Sequence, residues 1–179
     1  MNFAPVGVSL GGVTVGTIIV ALVIQRWWKK GGGGAKGKDS DGGSRDWKQL
    51  IPFVLATLHG MLLVLCAGGL LGSVAHFALW GVNGLGDLAL VYGVGGTSPD
   101  VTRARQLALT PGGYAMVLIL TALAIGHWKW SKKLPKKQAA LGALAGVGLA
   151  LSGGIAGAAA VPLASAVNLL GTWYSGLVS

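Results

Sequence analysis

The sequence QLIPFVLATLHGMLLVLCAGGLLGSVAHFALWGVNGLG, residues 49–86, contains no Asp, Glu, Lys or Arg at 38 consecutive positions. Three more stretches share this property, namely residues 1–25, 106–128 and 138–179. A helix crosses a hydrocarbon core about 30 Å thick in about 20 residues, so each stretch is long enough for one span. The stretches are continuously apolar and lack the in–out alternation of barrel strands. The sequence therefore predicts an all-α, polytopic membrane protein.

The overall composition supports the same class. Hydrophobic residues make up 53% of the 179 positions and charged residues 11%, whereas soluble domains carry about 25% charged residues. The mean hydropathy is +0.66. These values exclude a disordered chain, a coiled coil and an ordinary water-soluble domain, and the single cysteine, Cys66, excludes an internal disulfide.

The distribution of the basic residues predicts the number of spans. Seven of the 14 Lys and Arg residues lie in the loop 26–48, five lie within 129–137 and two lie at Arg103 and Arg105. With four spans the two Lys-rich loops lie on the same side of the membrane, whereas six spans, with the second and fourth stretches split, separate them. Because basic loops stay in the cytoplasm, the count favours four spans in the cell membrane, with an uncleaved first helix and both termini extracytoplasmic. The predicted spans are residues 6–25, 50–72, 112–130 and 139–161.

An internal similarity predicts two duplicated helical hairpins. Residues 68–86 and 153–171 match at a constant offset of 85, with eight of 19 positions identical, including a shared Val-Asn-x-Leu-Gly. We therefore predict a first hairpin, 1–94, with a Gly/Lys-rich cytoplasmic loop, and a second hairpin, 95–179, related by an axis along the membrane normal. Independent interfacial belts of Trp and Lys are the alternative explanation for the similar span ends.

After the second and the fourth span, the chain continues for more residues than a single crossing of the membrane needs. We expect residues 77–92 and 162–179 to return along the outer surface as interfacial segments. There Asn83 and Asn168 would cap helices or bond the two halves together, or simply face the headgroups. Asp100 would pair with Arg103 and Asp87 with Arg105, the alternative being four independently solvated charges. The predicted outer-face polar residues are Asn83, Asn168, Asp87, Asp100, Arg103 and Arg105.

Glycines recur at a spacing of four, which places both members of a pair on one helix face and lets helix backbones approach closely. This spacing predicts tight helix packing, within the chain or between copies in a homo-oligomer or with other membrane subunits. The predicted packing residues are Gly12, Gly16, Gly68, Gly72, Gly142, Gly146, Gly153 and Gly157.

Tryptophans and basic residues alternate at the cytoplasmic ends of the first and third spans. Trp gathers at headgroups, and each basic residue near anionic lipids contributes about 1 kcal/mol of attraction. We therefore expect anionic membrane lipids as partners, and not nucleic acid. The predicted headgroup contacts are Arg26, Trp27, Trp28, Lys29, Lys30, Trp128, Lys129, Trp130, Lys132 and Lys133.

No motif predicts catalysis, a cofactor or a metal site. Residues 32–38 have the GxxxxGK spacing of a phosphate loop, but Asp39 stands where Ser or Thr ligates magnesium, and no strand precedes it. His59 lies inside the second span, where an ionisable group is either functional or hydrogen-bonded to a neighbouring helix. The chain is therefore expected to be no enzyme and to need no cofactor.

Two families resemble this chain. Four Gly-rich spans in duplicated hairpins resemble the proteolipid rotor subunits of rotary ATPases, but no span here carries their carboxylate. Gly/Ala/Val-rich spans and the segment Gly95-Gly96-Thr97-Ser98-Pro99-Asp100 leading to Leu109-Thr110-Pro111-Gly112-Gly113 resemble small hydrophobic membrane proteins of actinobacterial mobile elements, namely conjugative-plasmid spread proteins and phage-encoded membrane proteins. That resemblance implies a non-enzymatic structural, assembly or transfer-accessory role, with a holin-like pore or small transporter as the alternative.

Overall fold

The computed structural model describes residues 7–32, 47–66, 68–102, 108–131, 135–154 and 157–178. Regular structure in these ranges is helical, apart from two isolated β-bridges. Four segments are long and apolar enough to cross a membrane: Leu10–Lys29, Trp47–Leu65, Gly69–Gly93 and Pro111–Trp130. The helices are α1 (Leu10–Gly32), α2 (Ile51–Leu65, after a 3-10 turn at Trp47–Gln49), α3 (Gly69–Leu88, continued by a π-helical turn at Ala89–Gly93), α4 (Pro111–Trp130), α5 (Lys136–Ala150) and α6 (Ala160–Val178).

Two of the predicted spans are interrupted. The predicted span 50–72 breaks after Leu65, where Gly69 adopts a φ of +72°, a conformation that glycine reaches without steric cost. The predicted span 139–161 breaks after Ala150, and α6 begins only at Ala160. Each break follows a 15-residue helix and contains a Gly-Gly pair. The described residues thus form six helices. This is the number expected if the second and the fourth charge-free stretch each divide into two helices.

Four helices, α1, α2, α4 and α5, run roughly along one direction, and we call them the upright bundle. Gly142 of α5 lies against Phe53 and Thr57 of α2, and Gly146 lies against Thr57 and Met61, so α2 and α5 are parallel. The N-terminal part of α1 approaches the C-terminal part of α5, which makes α1 antiparallel to both. Likewise the C-terminal part of α4 faces the N-terminal part of α2 across a cleft.

The two remaining helices lie across one end of this bundle. Gly72, near the start of α3, packs against the carbonyl of Cys66, while Gly86, near its end, packs against Gly11 at the start of α1. Both ends of α3 therefore lie where α2 ends and α1 begins. The corresponding contacts of α6 are made by Gly157 and Gly171. We call this the clamp end and the opposite end the lysine end. Gly69–Gly93 is nevertheless one of the four candidate spans, whereas the 15-residue α5 is not. That residues 77–92 and 162–179 return along the outer surface stays a prediction.

The contacts between α2 and α5 define a two-fold relation. Thr57 meets Gly142 and Met61 meets Gly146, and both pairs are separated by 85 positions, the offset of the internal similarity. A residue that touches its own counterpart lies on the axis that relates the two halves. Because the second pair is one helical turn beyond the first, that axis runs parallel to α2 and α5.

Candidate functional sites: two helix clamps and an apolar cleft

A polar clamp holds the start of α1. The amide of Asn83, which is buried, donates from Nδ2 to the carbonyl of Gly7 at 2.8 Å, and its Oδ1 accepts from the backbone N–H of Ser9 at 3.3 Å. The hydroxyl of Ser9 accepts from the N–H of Gly12 at 3.1 Å. These bonds satisfy backbone groups that a helix start leaves without intrahelical partners.

The same clamp recurs at the start of α4. Asn168 donates from Nδ2 to the carbonyl of Ala108 at 3.2 Å, and its Oδ1 accepts from the N–H of Thr110 at 2.9 Å. The hydroxyl of Thr110 accepts from the N–H of Gly113 at 3.1 Å, which makes Thr110 the N-cap of α4. Each asparagine thus bonds within its own half, at 1–94 or 95–179, and does not join the halves.

Backbone-to-backbone glycine contacts accompany both clamps. A Cβ on Gly86 would overlap the backbone of Gly11, and a Cβ on Gly171 would overlap the backbone of Gly112. Gly11 belongs to a predicted four-residue spacing with Gly7, but the sequence did not identify Gly86, Gly112 and Gly171 as packing residues, or Ser9 and Thr110 as caps.

Gly86 and Gly171 match at the offset of 85, whereas the signal for Gly112, Ser9 and Thr110 lies at a second offset. Residues 9–28 and 110–129 match at an offset of 101, with seven of 20 positions identical. This offset exceeds 85 by 16 because the segment between α1 and α2 is longer than the segment between α4 and α5. A search at a single constant offset therefore pairs α2 with α5 and α3 with α6, but misses the pairing of α1 with α4. The identical positions in the first helix are Gly11, Gly12, Ile18, Ala21, Leu22, Ile24 and Trp27.

The glycines that the spacing predicts as packing residues make contacts within the chain. Four of them contact another helix, namely Gly12, Gly16, Gly142 and Gly146. Gly72 and Gly157 pack against the carbonyls of the preceding breaks, at Cys66 and Ser152. The backbone N–H of Gly153 donates to the carbonyl of Val101 at 3.1 Å, and Gly68 faces open space.

The described acidic residues lie at the clamp end. The Oδ1 of Asp87 accepts from the hydroxyl of Ser9 at 2.6 Å and from the hydroxyl of Ser98 at 2.5 Å. Asp100 accepts from the hydroxyl of Thr102 at 2.9 Å. A carboxylate beside the start of α1 is favourable, because the helix dipole is positive there. Arg103 and Arg105 lie outside the described residues, and so do the pairs predicted for them.

The described basic residues and five of the seven tryptophans lie at the lysine end. Trp27 of α1 packs against Trp47, which precedes α2, with ring centroids 4.8 Å apart, and against Trp28 with centroids 6.5 Å apart. Arg26, Lys29, Trp128, Lys129 and Trp130 are exposed there. Lys132 and Lys133 lie outside the described residues, as does the side chain of Lys30.

An apolar cleft of about 730 Å³ separates α2 from α4. His59 crosses it, with its Nε2 3.4 Å from the hydroxyl of Thr121, and that hydroxyl also donates to the carbonyl of Val117 at 2.7 Å. The inner part is lined by Leu62, Leu120 and Leu163, and the mouth at the lysine end by Ile51, Pro52, His127, Trp128, Ser131 and Pro135.

The cleft marks a departure from the two-fold relation. On the other side of the axis, Gly16 lets α1 lie directly against Ala145 and Leu149 of α5. The offset of 101 places Val117 where α1 has Gly16, and the side chain of Val117 is fully buried. On α2, by contrast, α4 lies across the cleft.

Comparison with known proteins gives no relative: no family model, curated protein or solved structure matches this chain. Its function is therefore argued from the arrangement of its residues.

Proposed function

We propose that this chain is a non-catalytic integral membrane protein that acts as a structural or assembly subunit. The observation that carries the proposal is the closed centre of the molecule, where α2 and α5 meet backbone to backbone at Gly142 and Gly146. The polar side chains of the clamps bond α3 to the start of α1 and α6 to the start of α4. This arrangement is suited to a rigid scaffold.

The same proposal places the upright bundle across the cell membrane, with the lysine end in the cytoplasm and both termini outside. It is supported by the separation of charge in the described residues, since the basic residues lie at one end and Asp87 and Asp100 lie at the other. Basic residues favour the cytoplasmic side. Anionic lipids are then the partners of the exposed Lys and Trp side chains.

The glycine contacts favour packing within the chain over glycine-mediated oligomerisation, because the paired glycines already face neighbouring helices. A homo-oligomer or a larger assembly would use other apolar faces. One such face on α3 carries the stacked rings of Phe77 and Trp80, which are 73% and 63% exposed. The resemblance to actinobacterial mobile-element and phage membrane proteins extends the proposal to a transfer-accessory or assembly role.

Cysteine labelling tests the orientation. In a Cys66→Ser background, we expect a cysteine at Ser179 to react with a membrane-impermeant maleimide in intact cells, and one at Ser40 to react only after permeabilisation. Cys66→Ser without a new cysteine is the control for background labelling. Labelling of position 40 from outside would refute the proposed orientation.

A holin-like pore or small transporter is the competing function, and the open cleft between α2 and α4 is the observation that favours it. Induced expression distinguishes the two, because a pore collapses the membrane potential and arrests growth, whereas a scaffold leaves both unchanged. We expect an unchanged potential, measured with a potential-sensitive dye. Conductance of the purified chain in planar bilayers would overturn the proposal.

A further inference from the structure

The cleft between α2 and α4 is a built site for which the proposed scaffold role has no use. Its volume of about 730 Å³ lies within the ~300–1,000 Å³ typical of pockets for small molecules. It lies between α2 and α4, and Ala139 and Ala143 of α5 also line it.

The chemistry of the cleft changes along its length. Its inner wall consists of leucines and alanines, and the polar side chain in that wall, His59, is hydrogen-bonded to Thr121. At the mouth, Lys129 follows Trp128 on α4, and Lys136 follows Pro135 at the start of α5, both exposed. A matching occupant has an apolar chain at one end and a negative charge at the other.

Among the described residues, the charged side chains near the mouth are basic. Lys129, Lys136 and Lys137 are described and exposed, while Asp87 and Asp100 lie at the far, clamp end of the bundle. Trp128, which lines the mouth, belongs to the residue type that prefers the depth of lipid headgroups. The mouth is thus at headgroup depth and the leucines at acyl-chain depth.

We propose that this cleft binds one acyl chain of an anionic phospholipid, with the phosphate beside Lys129 and Lys136 and the chain between α2 and α4. The lipid fills the space between α2 and α4 and holds α4 against the rest of the bundle. The proposal requires a membrane but holds for either orientation of the chain in it.

Native mass spectrometry of the full chain in mild detergent tests the site. With phosphatidylglycerol and phosphatidylcholine of identical acyl chains, we expect one retained phosphatidylglycerol per chain and about tenfold weaker retention of phosphatidylcholine. Ala124 lines the cleft, so Ala124→Phe is expected to lower the bound fraction about tenfold. Ala122→Phe is the matched control, because Ala122 is exposed on the same helix and is not part of the lining.

Three outcomes overturn the proposal: unchanged retention in Ala124→Phe, equal loss in both variants, or equal retention of the two lipids. Crosslinking of the unmodified chain gives a test that does not depend on how a variant folds. Phosphatidylglycerol with a diazirine at the end of one acyl chain, in vesicles, should label Leu62, Leu120 and Leu163. Labelling spread evenly over these residues and the exposed face at Phe77 and Trp80 would refute a specific site.

Discussion

At the scale of single residues, the two asparagines match what a helix start needs. A side-chain amide has an oxygen that accepts and an NH₂ group that donates hydrogen bonds. In Asn83 the oxygen accepts from the N–H of Ser9, and the NH₂ group donates to the carbonyl of Gly7. The backbone glycines beside it, Gly11 and Gly12, are buried. Backbone groups in such a place need protein partners, because an unpaired buried group costs free energy.

We therefore expect Asn83→Ala to lower the free energy of unfolding by about 1–3 kcal/mol, the cost of leaving buried polar groups unpaired. Asn168→Ala should cost less, because Asn168 is only half-buried and water can reach its partners. Thermal unfolding in detergent measures both. Ser165→Ala, at an exposed position on the same helix as Asn168, is the control and should be neutral. A greater loss for Asn168→Ala than for Asn83→Ala would contradict this account.

The sequence identifies these asparagines but not their partners. The shared Val-Asn-x-Leu-Gly singles out Asn83 and Asn168 at one offset, whereas the capping residues Ser9 and Thr110 correspond only at another. The two offsets differ because the segment between α1 and α2 is longer than the segment between α4 and α5. Capping was one of the alternatives for the asparagines, and the choice among them depends on where α1 and α4 begin, which apolar periodicity does not determine.

At the scale of the helices, the charge-free stretches predict the all-helical class, which the structure confirms, but not the breaks after Leu65 and Ala150. With 32 glycines in the chain, a Gly-Gly pair marks a close helix crossing at residues 11–12 and a break at residues 68–69. The two uses look alike in sequence because both depend on the missing Cβ. Only the neighbouring backbone distinguishes them.

The crossing of α1 and α3 gives a matched pair of substitutions. A Cβ at Gly86 would overlap the backbone of Gly11, while nothing lies within 4 Å of a Cβ at Gly84. We expect Gly86→Ala to separate the helices and cost about 1–3 kcal/mol, as overpacking does. Gly84→Ala should be neutral or stabilise by up to about 1 kcal/mol, because alanine favours helix.

Thermal unfolding of the two variants under identical detergent conditions measures this difference. Gly171→Ala and Gly176→Ala repeat the comparison on α6, where Gly171 meets the backbone of Gly112 and Gly176 faces open space. Equal stability of Gly86→Ala and Gly84→Ala would show that the crossing does not require glycine.

At the scale of the whole molecule, the segment 98–102 connects parts that are distant in the sequence. The carbonyl of Pro99 accepts from the N–H of Leu10 at 2.8 Å, the N–H of Val101 donates to Val8 at 2.9 Å, and the carbonyl of Val101 accepts from Gly153 at 3.1 Å. The segment thus joins the start of α1 to the break between α5 and α6. The sequence predicts only a turn and a charged loop in this region. Hydrogen bonds between backbone groups do not depend on particular side chains, so they leave no pattern in the sequence.

Asp87 fixes this segment to the first half, since its Oδ1 accepts from both Ser9 and Ser98. A double-mutant cycle with Asp87→Asn and Ser98→Ala measures the bond between the halves. We expect a coupling energy of about 1–3 kcal/mol in the free energy of unfolding, the range for a hydrogen bond to a charged group. Partial exposure of Asp87 favours the lower part of that range.

A second cycle with Asp87→Asn and Arg105→Gln separates this bond from the ion pair predicted from the sequence. Oδ1 of Asp87 is occupied by two hydroxyls and lies beside the positive start of α1, so the carboxylate is stabilised without an arginine. We therefore expect the Asp87–Ser98 coupling to exceed the Asp87–Arg105 coupling, with protease sensitivity of the segment 95–110 following the larger one. Strict additivity in the Asp87–Ser98 cycle would show that segment 98–102 is held by its backbone bonds alone. A dominant Asp87–Arg105 coupling would instead identify the arginine as the group that joins the halves.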